Sequence, residues 1–286
     1  MVNQPELVVV VVTFKSSELI PTFLRSVHEA TSGRPLIQIA DNSEGSDPRI
    51  RDVAAADADV HLVELPANRG YGGAVNAVTS ELGPRHEWLL IANPDVTFAP
   101  GSIDALLEAA RAHPRGGAFG PRILTSDGET YPSARRLPSL RNGIGHAVFH
   151  RFWPNNPWSA RYLDTPESYE IERTTGWLSG ACLLVRRSVF DAVGGFSKEY
   201  FMYFEDVDLG KKVGETGYEN VFVPSSVVHH LGAHSTAQAS KRMNRAHHES
   251  AYTYLAAKYR AWYLWPLRAV LRVGLWIRLA LTLRHR

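Results

Sequence analysis

A chain of 286 residues with 44% apolar and 21% charged side chains can bury one large core and is too apolar to be globally disordered. A net charge of +2 leaves no general nucleic-acid footprint, so no nucleic-acid partner is expected. The single cysteine, Cys182, excludes an intramolecular disulfide framework and fits a reducing compartment.

The first apolar run, residues 7–12, has no basic stretch before it and reads as a buried strand reaching Thr13, not as a signal peptide. Further strand-like runs lie at 36–40, 60–65 and 88–92. Helical spacing fills the gaps at 18–29, 47–56, 73–82 and 102–112, with Ser102 as a plausible N-cap. This alternation predicts an α/β fold, with a parallel sheet covered by helices on both faces. Ligands of such sheets bind beyond the carboxyl ends of the strands. Thr13, Asp41, Asn68 and the Asn93 to Asp95 stretch all fall there.

Residues 126–175 are irregular and rich in Pro, Trp and Arg, and read as loops and short helices. Residues 177–185 look like a further strand, and 190–196 like a turn with two glycines. From Ser250 to Arg286 there are seven basic residues and no acidic ones, which leaves 24 basic and 29 acidic residues elsewhere. That asymmetry points to an anionic surface near the C-terminus. Arg268, Arg272 and Arg278 interrupt the apolar stretch 262–283, where the longest uncharged run, counted from Ala261 to Leu267, is seven residues, far below the ~20 of a spanning helix. Tryptophans, leucines and arginines so mixed suit a helix lying among lipid headgroups, or an amphipathic helix docked on the protein itself.

Six short motifs carry the chemistry, each with a plainer reading beside it. Asp41-Asn42 follows an apolar run and could bind a nucleobase or simply shape a turn. Asn68 to Asn76 is glycine-rich, allowing close backbone approach to phosphate or ribose. Its partial G-x-G-x-x-G match fails where Val75 stands and follows the third strand, which argues against a dinucleotide fold. Asn93-Pro94-Asp95 offers Asp95 as a carboxylate for a hard cation and Asn93 for a ribose hydroxyl, and also suits a tight turn. Gly176 to Ala181 would make a close-packed wall in which Trp177 stacks on a sugar or fills the core. Glu205-Asp206 follows five aromatic or apolar residues, where burial and like charge raise a carboxyl pKa, and equally suits an acidic helix start. In His229 to Ser235 a zinc cluster of His229, His230 and His234 is opposed by Gly232 and by the absence of H-E-x-x-H.

In this order, over about residues 5–235, the six motifs resemble an inverting family-2 glycosyltransferase of the GT-A fold. The resemblance implies a catalytic domain over 1–235, split at 125 into nucleotide-sugar and acceptor halves, and a membrane-associating helical region over 236–286. It assigns Thr13, Lys15, Asp41, Asn68, Gly70, Asn93 and Asp95 to the nucleotide sugar, and Trp177 and Glu205 to the acceptor. Asp206 becomes the base, and Asp95 with His230, five residues before Ser235, the ligands of Mg2+ or Mn2+. Within the family the chain is similar to actinobacterial rhamnosyltransferases. That likeness implies dTDP-L-rhamnose as donor, a polyprenyl-diphospho-N-acetylglucosamine acceptor, and a peripheral place on the cytoplasmic face of the plasma membrane. A galactofuranosyltransferase, an O-antigen rhamnosyltransferase or a catalytically silent scaffold would carry the same motifs.

Overall fold

The computed structural model describes residues 7–83, 86–138, 166–232 and 240–284. Its centre is β1 (Leu7–Thr13), whose five consecutive valines are buried on both faces. The two faces bury different helices because strand side chains alternate. Val9 and Val11 pack on α1 (Ile20–Ala30), α2 (Arg49–Ala55) and α4 (Ser102–Ala112), through Phe23, Ile50 and Leu106. Val8 and Val10 pack on α3 (Gly70–Thr79), α5 (Arg187–Ala192) and α6 (Glu205–Glu215), through Val75, Phe190 and Leu209. The result is an α/β/α sandwich.

Beside β1 lie β2 (Leu36–Asp41) and β4 (Trp88–Ala92), both parallel to it, and β3 (Val60–Glu64) extends the parallel set. The remaining strands are β5 (Val96–Phe98), β6 (Gly116–Leu124), β7 (Thr130–Tyr131), β8 (Ala134–Arg135), β9 (Arg173–Thr175), β10 (Trp177–Leu178), β11 (Cys182–Arg186) and β12 (Glu219–His230). The main sheet runs β3-β2-β1-β4-β11-β6-β12-β5, with β7 and β9 on the sides of β6 and β12, while β8 and β10 form a separate pair.

The expected all-parallel sheet is therefore a mixed one. β11 is antiparallel to both β4 and β6, and β5 to β12. Helices separate β1 to β4 and enforce parallel crossovers; past β4 the sheet is mixed, with β6 and β12 parallel and β11 inserted antiparallel between β4 and β6.

Residues 177–185 are likewise not one strand. The run breaks at Ser179 to Ala181, because Ser179 N–H donates to Ser133 O (2.7 Å) and Gly180 N–H to a carboxylate of α6, outside any ladder. Ser102 is the first residue of α4 rather than its cap, since Gly101 takes the left-handed cap position at φ 75°. The two-glycine turn forms as read, with Gly194 and Gly195 at φ 76° and 68°.

Two helices close the chain, α7 (Ser240–Lys258) and α8 (Trp265–Arg284), joined through a short 3-10 turn at Trp262–Leu264. The Arg268 Nη1 ties the link by donating to Tyr259 O and Ala261 O (2.8 and 2.9 Å), and the Arg272 guanidinium lies 5.3 Å from the Tyr252 ring centre. No helix among the described residues is long and apolar enough to cross a membrane. Much of the 126–175 segment, together with His234, Ser235 and the boundary expected at 235, lies outside the described residues.

Candidate active site

The carboxyl ends of β1 and β2 meet at Thr13 and Asp41, register partners in the parallel ladder. Thr13 Oγ1 donates to Asp41 Oδ1 at 2.9 Å. Asp41 is fully buried, and its Oδ2 has no hydrogen-bond donor among the described residues. A buried carboxylate oxygen without a donor is costly, and a ring N–H of a base would satisfy it. Lys15 stands just beyond at φ 54°, exposed, with its N–H donating to Ser43 Oγ (2.7 Å).

Asn42 clamps the next loop: its Nδ2 donates to Gly70 O (3.0 Å) and its Oδ1 accepts the Arg69 N–H (3.1 Å). Asn68 Oδ1 accepts the Gly70 N–H (2.9 Å), which starts α3 three residues before the expected Gly73. Gly70, at φ 72°, was assigned to close approach of a nucleotide sugar. In the fold its empty side faces Phe201, where a Cβ would collide with the carbonyl oxygen, and the adjacent Tyr71 N–H donates to that oxygen (3.1 Å). The glycine requirement thus comes from protein packing.

Asn93 and Asp95 flank the β4 to β5 turn, and the antiparallel β5–β12 pairing places His230 opposite Val96. His230 Nε2 lies 3.1 Å from Asp95 Oδ1 and 3.3 Å from Asn93 Nδ2. His229, its neighbour on the strand, is exposed and alternates to the other side, so the two histidines share no site. A carboxylate and an imidazole converging beside an amide suit a hard divalent cation. No group of three or more His, Cys, Asp or Glu forms a metal cluster among the described residues.

Glu205 and Asp206 open α6, and the residues before them are strained. Tyr203 and Phe204 are both left-handed, at φ 66° and 67°, and each such non-glycine residue costs roughly 1–2 kcal/mol. Helix α7 braces them. Ser250 Oγ donates to Met202 O (2.8 Å), His247 sits edge-on to both rings (5.4 and 5.7 Å), and Tyr254 lies 5.6 Å from Phe204. Asp206 Oδ2 accepts the Gly180 N–H (3.0 Å) and Oδ1 the Val207 N–H (2.8 Å). Burial raises the Asp206 pKa against the pull of these N–H donors, and Arg135 lowers it from a distance. Glu205 is more enclosed, 6% exposed, with Oε2 lacking a donor among the described residues. Burial first, and then the Asp206 charge, push its carboxyl up.

Tyr71 joins these parts, and its role was not legible in the sequence beyond its place in the glycine-rich motif. Its hydroxyl donates to Gly180 O (2.6 Å), so Gly180 contacts Tyr71 through its carbonyl and Asp206 through its N–H. Asn93 N–H donates to Ala181 O (2.9 Å), which brings the Asp95 turn beside the same wall. Burial above all, and then the neighbouring carboxyls of Glu205, Asp206 and Asp95, raise the Tyr71 pKa well above its usual range. Trp177, expected to stack on a sugar, packs its Cβ against Gly210 and donates its indole N–H to Arg136 O (3.2 Å).

The Glycosyl transferase family 2 model matches residues 8–194. The chain belongs to this family. N-acetylglucosaminyl-diphospho-decaprenol L-rhamnosyltransferase of Mycobacterium tuberculosis is 45% identical over 286 residues, covering 96% of this chain and 92% of that protein. Among solved structures, a mannosyltransferase from Pyrobaculum calidifontis in complex with GDP-Man and Mn2+ aligns at TM-score 0.59 and 18% identity, over 90% of this chain and 65% of that one. GalNAc-T7 with UDP, GalNAc and Mn2+ aligns at TM-score 0.58 and 14% identity, over 80% of this chain and 43% of that one. The fold is the GT-A fold, and the enzyme is a glycosyltransferase. The family match ends before Glu205-Asp206, whereas the mycobacterial relative covers nearly all of the chain.

Burial of Glu205 has a pH consequence. A carboxyl raised from its ordinary 4.5 to about 8 stabilises the fold fully below pH 4.5, and that contribution is lost as pH rises through 8. Glu205→Gln cannot ionise, so its melting temperature relative to wild type should climb by several degrees between pH 5 and pH 8. Thermal unfolding across that range checks this, and a difference that stays constant with pH would place Glu205 in water.

Proposed function

We propose that this glycosyltransferase moves L-rhamnose from dTDP-L-rhamnose to the N-acetylglucosamine of a polyprenyl-diphospho acceptor. The product would be the linkage unit between peptidoglycan and arabinogalactan. The mycobacterial relative's name supports donor sugar and acceptor. The observation that carries the chemistry is the Gly180-Ala181 wall: Gly180 N–H donates to Asp206 and Ala181 O accepts the Asn93 N–H, so Asp206 lies near the turn bearing Asn93 and Asp95.

In the proposed reaction the acceptor hydroxyl oxygen bonds to the anomeric carbon while the carbon–oxygen bond to the diphosphate breaks, inverting that centre. The hydroxyl proton passes to Asp206, half-buried and therefore reachable. Glu205, protonated near neutral pH, adds no second negative charge beside it. Asp41 Oδ2 accepts the thymine ring N–H. Asp95 and His230 would hold a divalent cation, Mg2+ or Mn2+, which when bound offsets charge on the departing diphosphate. The Mn2+ in both structural neighbours supports that assignment.

The acceptor is lipid-linked in this reading, and α8 suits the anionic cytoplasmic face of the plasma membrane. Trp262, Trp265, Val270 and Trp276 are 82%, 63%, 69% and 68% exposed, interleaved with arginines. Large apolar side chains left in water on a basic helix favour insertion at the headgroup level over docking on the protein.

Asp206→Asn should keep donor binding and lower transfer by ~10²–10⁴-fold, measured as rhamnose incorporation into a short-chain lipid acceptor. Near wild-type turnover would move the base elsewhere. Asp95→Ala and His230→Ala should each abolish the difference in dTDP-rhamnose affinity that calorimetry finds between Mg2+ and EDTA. Equal wild-type affinity in both would remove the metal from this site. Truncation before Trp262 should release the protein from anionic liposomes while sparing turnover on a soluble acceptor, with salt alone releasing it only partly. Full-length protein that stays in solution at low salt would make α8 a structural helix.

A further inference from the structure

We propose that Arg135 binds the phosphate attached to the acceptor sugar, and so selects acceptors whose sugar is carried on a diphosphate. The inference rests on Asp206 activating an acceptor hydroxyl, and it adds the residue that reads the other end of that sugar.

Arg135 lies on β8, directly opposite Trp177 on β10. Its guanidinium carbon is 5.8 Å from the ring centres of both Tyr131 and Trp177, and its Nε donates to Pro132 O (2.7 Å). These contacts hold the guanidinium plane while its two terminal nitrogens have no hydrogen-bond or carboxylate partner among the described residues. A guanidinium held by its stem and by aromatic faces presents a preorganised fork to phosphate oxygens. The Trp177 Cβ rests on Gly210, four residues along α6 from Asp206, so the platform and the base share one helix face. Three residues past Trp177, the Gly180 N–H bonds Asp206 itself. The Arg135 charge is felt at Asp206, yet no ion pair joins them.

That arrangement suits a sugar with two functional groups. A hexosamine carries its attacking hydroxyl and its anomeric phosphate on different carbons of one ring. A hydroxyl at Asp206 leaves the phosphate free to meet a second group on the same wall, where a neutral acceptor would need no cation. The donor diphosphate has its own place at Asp95 and His230, across the Gly180 wall on the main sheet. Trp177, with Arg135 on its ring and its N–H donated to Arg136 O, then serves as the seat of the cation more than as a sugar-stacking face.

The test uses the full-length enzyme and two acceptors: a short-chain lipid diphospho-N-acetylglucosamine and an alkyl N-acetylglucosaminide without phosphate. Arg135→Ala should raise KM for the diphospho acceptor by about 10- to 100-fold, the scale of a lost charge-assisted hydrogen bond, with kcat within a few-fold. KM for dTDP-rhamnose, and turnover or inhibition by the alkyl glycoside, should not change. Arg135→Lys, a point charge without the fork, should fall between and carries the test if the alanine variant loses donor binding. Equal losses on both acceptors would overturn the proposal and make Arg135 only a counter-charge for Asp206. Retained turnover in Asp206→Asn would instead sink the general-base reading, whatever the Arg135 variants do.

Discussion

One residue, Gly180, holds two helices of this enzyme in register. The Gly180 carbonyl accepts the Tyr71 hydroxyl and its N–H donates to the Asp206 carboxylate, so helix α3 and the acid-bearing helix α6 are bound to the same residue. The space there is tight: a Cβ on Gly180 would lie 3.4 Å from Asp206 Cβ and 3.5 Å from the Tyr71 ring. The cost of breaking the strand at Ser179 to Ala181 is met by these hydrogen bonds, because each N–H removed from the ladder finds another acceptor. Everything that depends on where Asp206 points depends on this contact.

The second constraint is strain. Two consecutive left-handed residues, Tyr203 and Phe204, turn the chain into α6 so that its first turn carries the acids. Such a turn persists only when its surroundings over-determine it. Here Gly70 admits the Phe201 backbone from one side, and Ser250, His247 and Tyr254 of α7 brace it from the other. Helix α7 is therefore packed into the turn that carries the acids, while α8 turns its tryptophans to solvent. The two helices of the C-terminal region thus differ in how far they pack on the rest of the chain.

Charge is distributed to match. Glu205 and Asp206 sit together in poorly solvated surroundings, and the N–H groups of Gly180 and Val207 favour ionisation of Asp206, whereas nothing among the described residues donates to Glu205 Oε2. Neighbouring carboxyls in unlike environments separate in proton affinity, which leaves one to accept a proton and the other to stay neutral. Cys182, pushed up by burial, contributes no thiolate to this neighbourhood.

Much of this was written locally. Five valines in a row dictate a strand buried on both faces, and β1 to β4 with their helices follow from apolar spacing alone. Asp41, Asn93 and Asp95 could be placed at strand ends because a strand end is a local property, and the acidic pair after an aromatic run announced its own desolvation. Tertiary structure decided the rest. The antiparallel entry of β11, the break at Gly180, the meeting of Asp95 with His230 across 135 positions, and the bracing of Phe204 by α7 all join segments far apart in the chain. Gly70 shows the reason most clearly. The sequence marks a position that tolerates no side chain, but only the fold reveals that the occupant of that space is Phe201 and not a ligand.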